Sequence, residues 1–309
     1  MSDATSALPA LSLTAVPGRR RSTVELAVEI ERRGFSGVYC PSFGDAMGLC
    51  LSVAHVTERM AIGTSIQPIY LQHAAALATS ACYLQEISGG RFRLGLGVTH
   101  GPAHARLGVR VGRPLADMRD YVTELHRAAR RQGELPPITL ATLRDRMVAL
   151  SVEIAQGAVW ANAARSRMPH SLAAVPAGPT AGGGDTTFFV GNMIPTVIDD
   201  DRAAAAARNR ATLRSYLLLP NYRNYWSEAG YEEEMAAVEA ALAAGDDDGV
   251  TAAMTDRWLD DCTLQGSVDQ VREGLEAWIE AGVTTPILVP AATSGGQLRA
   301  FEQVFEAFA

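Results

Sequence analysis

A (β/α)8 TIM-type barrel is the fold class this sequence predicts, on three observations. Eight short apolar runs recur along 309 residues, each is followed by a segment with helical periodicity, and every connection is long enough for a parallel crossover. The length suits one such barrel, and the single domain is expected to span 1–309. A doubly wound sheet is the runner-up, but no GxGxxG follows its first strand.

The elements follow in order. Leu11–Val16 reads as the first strand, closed by Pro17-Gly18. Ser22, with Glu25 three residues on, reads as a capping box for a helix whose stripe is Val24, Leu26, Ala27 and Ile30. Val38–Cys40 is strand two, leading into Pro41-Ser42-Phe43-Gly44-Asp45, and Met47–Val56 is helical. Met60–Tyr70 is strand three, interrupted by Gly63 and Pro68, and Ala74–Ile87 is an alanine-rich helix. Gly89 and Gly90 supply the positive φ of its C-terminal turn. In strand four, Phe92, Leu94, Leu96 and Val98 alternate with Arg93, Gly95 and Gly97, so bulk falls on one face and glycine on the other. Glycines there signal close approach, either of a ligand or of another backbone. His100 stands at that strand's end.

Leu115–Arg130 is a helix, Ile138–Leu143 strand five, Met147–Gln156 a helix and Ala158–Asn162 strand six. A short helix over Arg167–Ala174 precedes the Gly-rich run Pro176–Gly184, which reads as a lid or a plain connection. Phe188–Val197 is strand seven. The helical region from about 202 to 265 is too long for one crossover and is read as an insertion between strands 7 and 8. Asp199–Asp201 cap its first helix, and Asp246-Asp247-Asp248-Gly249 reads as a turn within it. Val268–Ala281 is helical and Pro286–Val289 is the last strand.

Composition narrows the function classes. All 27 basic residues are arginine, which excludes a lysine Schiff base and a Walker A loop. A net charge of −7 argues against a general nucleic-acid binder. No run is long and apolar enough to span a bilayer, so no membrane partner is expected and the cytoplasm is the expected location. Cys40, Cys50, Cys82 and Cys262 form no CxxC pair and read as buried small hydrophobes.

In a barrel the active site lies where strands end. His100 is the ionisable group to watch, because its unperturbed pKa suits proton transfer near neutrality. His100 and His104 share a spacing that could ligate zinc, but Pro102 intervenes and no third ligand is near, so no metal is expected. Arg106, Arg110 and Arg113 form a basic patch for an anion or a solvated face. Tyr216, Tyr222, Tyr225 and Trp226 either wall a pocket or pack the insertion.

ISGGRFRLGLGVTHG (87–101), MAIGTSIQPIY (60–70), RPLADMRDYV (113–122), ITLATLRDRMVALS (138–151) and YLLLPNYRNYW (216–226) together resemble the luciferase-like monooxygenase superfamily, specifically its coenzyme F420-dependent oxidoreductase branch. The resemblance implies a homodimer and a deazaflavin cofactor, F420 or its reduced form F420H2, with FMN as the alternative. It also implies a non-prolyl cis peptide at Ser65-Ile66 behind the ring. Cofactor contacts carry over to Ser65, Ile66, Gly97, Thr99, Ala141, Thr142, Leu143, Arg144, Asn162 and Ala163. A helix N-terminus after strand five is the implied phosphate site, although Asp145 would repel an anion there. Substrate contacts are assigned to Ser42, Phe43, Gln67 and Tyr222. The His-Asp pair that a sugar-phosphate dehydrogenase of the family carries after strand two is replaced by Ser42-Phe43, which leaves His100 as the catalytic proton donor or acceptor. The expected activity is hydride transfer between deazaflavin C5 and a small-molecule or peptide substrate, as reduction of an activated C=C or C=O in natural-product or peptide tailoring. An FMNH2-dependent monooxygenase, and a barrel that binds cofactor or peptide without catalysis, are the alternatives.

Overall fold

The computed structural model of the chain describes residues 8–101, 104–105, 108–176 and 187–308. Among them the strands are β1 (Ala10–Ser12), β2 (Gly37–Cys40), β3 (Ala61–Thr64), β4 (Gln67–Pro68), β5 (Phe92–Gly97), β6 (Ile138–Ala141), β7 (Gly157–Ala161), β8 (Phe189–Ile198), β9 (Leu264–Gly266) and β10 (Thr285–Ala291). The sheet order is β10-β1-β2-β3-β5-β6-β7-β8, and β10 also pairs with β8, so eight strands form a (β/α)8 barrel. β4 adds to β5 through Gln67↔Leu96, and β9 adds to β8 through Thr196↔Leu264. By compactness the chain divides into two units, Met1–Val159 with Ala174–Gly191, and Trp160–Ala173 with Asn192–Ala309.

In the first unit β1, β2, β3, β5, β6 and β7 run parallel in register, as Leu11↔Val38, Val38↔Ile62, Ile62↔Phe92, Leu94↔Ile138 and Leu140↔Ala158 show. The helix Ala46–Val56 begins where the Asp45 carboxylate accepts the Gly48 N–H. The helix Ala74–Ile87 ends at Ser88, and Gly89 and Gly90 follow at φ 62° and 84°, a turn that only glycine adopts without a Cβ penalty. The Arg93 guanidinium lies 4.5 Å from the Phe189 ring centroid and donates to Thr139 Oγ1 at 3.4 Å. Tyr39 packs against Phe189 at 5.7 Å, and its ring fills the space a Cβ on Gly63 would need. Burial pushes the Tyr39 hydroxyl up to about 12, against the opposing pull of Arg93.

The second unit carries the inserted helices. Asp201 caps the helix Arg202–Leu217 by accepting from Ala203 and Ala204 N–H. The helices Pro220–Glu228, Glu232–Ala244, Asp247–Ala252 and Asp256–Cys262 follow. Val268–Glu280 starts with a capping box between Ser267 and Gln270.

Four local expectations need correction. The first helix runs over Arg20–Arg32, and the Ser22 hydroxyl donates back to the Arg19 carbonyl, so no Ser22–Glu25 box exists. Strand three divides into β3 and β4 because the chain bulges at Ser65-Ile66. Asp246 is a helix cap rather than part of a turn, accepting the Gly249 N–H. The glycine face of β5 is occupied by protein: a Cβ on Gly95 would sit 2.0 Å from the Thr64 carbonyl oxygen, and one on Gly97 2.5 Å from Ile66 Cδ1. At Gly95 it is another backbone that approaches, and at Gly97 a side chain. The Pro176–Gly184 run falls, apart from Pro176, outside the described residues.

Gly95→Ala is therefore expected to destabilise by about 1–3 kcal/mol or more, because backbone rather than a flexible side chain must move. Urea unfolding checks this as a lower midpoint with an unchanged slope; an unaltered midpoint contradicts the contact.

Candidate functional site

The first unit gathers most of the sequence-assigned residues at the ends of β3, β5 and β6. Thr64 and Gly95 are bound reciprocally: the Thr64 hydroxyl donates to the Gly95 carbonyl at 2.8 Å, and the Gly95 N–H donates to Thr64 Oγ1 at 2.9 Å. Immediately after, the Ser65–Ile66 peptide bond is cis, as the resemblance implies. Ser65 is buried and its N–H donates to the Cys40 carbonyl at 2.8 Å. The half-buried Ile66 side chain lies over Gly97, whose absent Cβ would also stand 3.1 Å from Ala141 Cβ. Gly97 is thus without a side chain where Ile66 and Ala141 converge on it. Gln67 is half-buried beside Gln72 at 3.5 Å.

Beyond Gly97 the chain turns sharply. Thr99 has φ 55°, a left-handed conformation rare for a β-branched residue. His100 follows, half-buried, and burial first, then the neighbouring His104, lower its pKa below the ordinary 6.5. The imidazole is therefore neutral at neutral pH and suited to accept a proton. Among the described residues no group of three His, Cys, Asp or Glu side chains is arranged to hold a metal ion.

After β6 the Thr142 hydroxyl is buried and makes no hydrogen bond among the described residues, while its N–H donates to the Val159 carbonyl at 2.9 Å. Leu143 is half-buried, and Arg144 and Asp145 are exposed at the start of the helix Asp145–Ile154. The two charges meet at the helix end assigned to an anion, so attraction and repulsion coexist there. Ser42 and Phe43 are exposed, the latter by 79%. Arg110 and Arg113 are exposed as well; Arg106 lies outside the described residues.

Asn162, Ala163 and Tyr222 belong to the second unit. Asn162 has φ 57°, and its carbonyl accepts from Trp226 Nε1 at 3.2 Å. Ala163 is fully buried, with its N–H directed to Asn192 Oδ1 at 3.4 Å, and the Ala164 N–H donates to the Tyr225 hydroxyl at 3.1 Å. Tyr222 is buried with ring centroids 5.0 Å from Tyr216 and 5.3 Å from Trp226, so the aromatic cluster packs the insertion and holds the end of β7. Asp261 completes this support by accepting from Ser166 Oγ at 2.6 Å and from the Tyr231 hydroxyl at 2.8 Å. Sequence reasoning singled out neither Asn192 nor Asp261. An Asn in a strand and an Asp on a helix carry no local signal; the partners lie 29 and 95 residues away.

Residues 4–285 match the family model described as luciferase-like monooxygenase. A relative from Mycobacterium tuberculosis H37Rv, provisionally named a coenzyme F420-dependent oxidoreductase, is 27% identical over 89% of this chain and 92% of its own. The coenzyme F420-dependent tetrahydromethanopterin reductase of Methanopyrus kandleri superposes with a TM-score of 0.71 at 16% identity, covering 97% of this chain and 98% of that one. The FMN complex of the oxygenating constituent of 3,6-diketocamphane monooxygenase from Pseudomonas putida does so at 0.65 and 18%, covering 97% and 96%. At these identities the two structures establish the fold alone.

The lowered His100 pKa has a stability consequence. Below pH 6.5 the unfolded chain binds a proton that the folded chain still refuses, so stability is full above 6.5 and falls as pH drops toward the folded-state value. His100→Gln is expected to flatten that slope; urea midpoints between about pH 7.5 and 5.5 measure it. An identical slope in the variant contradicts a depressed His100.

Proposed function

This chain belongs to the luciferase-like monooxygenase family, and within it we propose a coenzyme F420-dependent oxidoreductase that transfers a hydride between the cofactor and a small-molecule or peptide substrate. The observation that carries this reading is that His100 follows closely after Gly97, the glycine over which Ile66 packs. A half-buried isoleucine packed over a glycine suits the face of a planar ring, and the Thr142 hydroxyl, without a hydrogen bond among the described residues, suits a polar group of the same ligand. The mycobacterial relative's name supports F420 over FMN.

When bound, the deazaflavin supplies a hydride donor or acceptor at C5. Ile66, seated on Gly97, and Ala141 would hold the ring, and Thr142, Leu143 and Arg144 would meet its polar tail. In reduction of an activated C=C or C=O, His100 delivers the proton that balances the hydride; in oxidation it accepts that proton. Because His100 holds a proton weakly, the reductive rate is expected to fall as pH rises through its lowered pKa and the oxidative rate to rise.

Titration of the purified protein with oxidised F420 and with FMN, side by side, tests the cofactor. Binding of F420 alone in the nanomolar to micromolar range supports the proposal; binding of FMN alone, with oxygen consumption on reduction, replaces it with a monooxygenase. For the proton, His100→Ala is expected to bind F420 as tightly as the unaltered protein while turnover falls by about 10²–10⁴ with an enone or secondary alcohol that the protein accepts. Undiminished turnover removes His100 from the reaction.

A further inference from the structure

Four polar side chains near His100 are unused by the reading above: Tyr70, His104, Asp117 and Thr99. His104 Nε2 stands 2.6 Å from the Val98 carbonyl and 2.6 Å from Thr99 Oγ1. A carbonyl oxygen only accepts, so Nε2 carries the hydrogen and neutral His104 is the Nε2–H tautomer. The Thr99 hydroxyl donates to the same Val98 carbonyl at 2.7 Å, which leaves its oxygen free to share the imidazole N–H. His104 therefore bonds both sides of the peptide unit where the backbone enters the left-handed region at Thr99. In addition the His104 backbone N–H donates to the His100 carbonyl at 3.1 Å.

The imidazole is itself held. Its ring meets Tyr70 edge-on with centroids 5.3 Å apart, and the Tyr70 hydroxyl donates to Asp117 Oδ2 at 2.7 Å. Asp117 lies in the first turn of the helix Pro114–Ala129 and also accepts the Gly112 N–H at 3.0 Å. Burial and the Asp117 charge both push the Tyr70 hydroxyl up, so it stays protonated and remains a donor.

We propose that His104 is a positioning residue: its Nε2–H clamps the Val98 carbonyl and the Thr99 hydroxyl, keeps Thr99 left-handed, and so sets the direction in which His100 leaves β5. Non-glycine residues held at positive φ cost about 1–3 kcal/mol and persist where surrounding contacts over-determine them. The clamp supplies those contacts from a residue five positions later. Its catalytic consequence rests on the proposed role of His100; the clamp itself does not.

The test uses the full chain with labelled histidine and threonine and three variants. Long-range 1H–15N spectra are expected to show His104 as the Nε2–H tautomer, and an Nδ1–H tautomer overturns the proposal. The Thr99 Cα shift, which reports φ, is expected to stay left-handed in His104→Gln, whose side-chain amide offers an N–H at the same reach, and to move in His104→Ala and His104→Phe. A Thr99 shift that is unchanged in Ala and Phe, or lost equally in Gln, overturns it. With a substrate that the protein turns over, kcat is expected to fall at least about tenfold in the Ala variant and to recover in Gln; wild-type kcat in Ala overturns it. If the protein binds neither F420 nor FMN, the functional reading fails, while the spectra still decide the clamp. Should the Ala variant not fold, the contrast between Phe and Gln and the tautomer of the unaltered protein remain decisive.

Discussion

The first unit's site depends on how closely β3 approaches β5 at Thr64 and Gly95. With no Cβ on Gly95, the Thr64 carbonyl enters the space a side chain would take, and the threonine hydroxyl closes two hydrogen bonds to Gly95 across the gap. Once β3 is locked there, the next two residues have few places to go. Ser65 is tied to Cys40 of β2, and Ile66 falls over Gly97. A methyl group at either glycine would push the bulge away from the sheet, which is why small size at residues 95 and 97 is a packing demand before it is a ligand-binding one.

Around that contact the chemistry is built from separated pieces. Burial lowers the His100 pKa, and His104, Tyr70 and Asp117 form a chain of contacts ending at the turn that carries it. Polar groups of the first unit are likewise paired: the half-buried Arg93 lies against Phe189 and reaches Thr139. In the second unit Tyr225 and Trp226 spend their polar tips on backbone groups just beyond β7, at Ala164 and Asn162. Tyr225 and Trp226 are buried and their donor or acceptor satisfies a backbone group, so these two serve packing.

What the sequence determined by itself was the alternation of elements. Period-two runs and 3.6-period stripes are local, so the barrel class, the helix Ala74–Ile87, the strand Phe92–Gly97 and the long insertion after β8 were legible from neighbouring residues. The family motifs also marked the bulge at Ser65-Ile66 and the strand end at His100. Tertiary structure alone decided what the glycines of β5 admit, since nothing near Gly95 in sequence says that Thr64, 31 residues earlier, will occupy its space. It alone turned His104 from one half of an unconvincing metal pair into a clamp. That required Val98 and Thr99 to fold back within 2.6 Å of the ring, and Tyr70 and Asp117, 47 residues apart, to meet behind it. Hydrogen bonds and close contacts between distant residues have no period, and composition does not encode them; they exist only after the strands have paired.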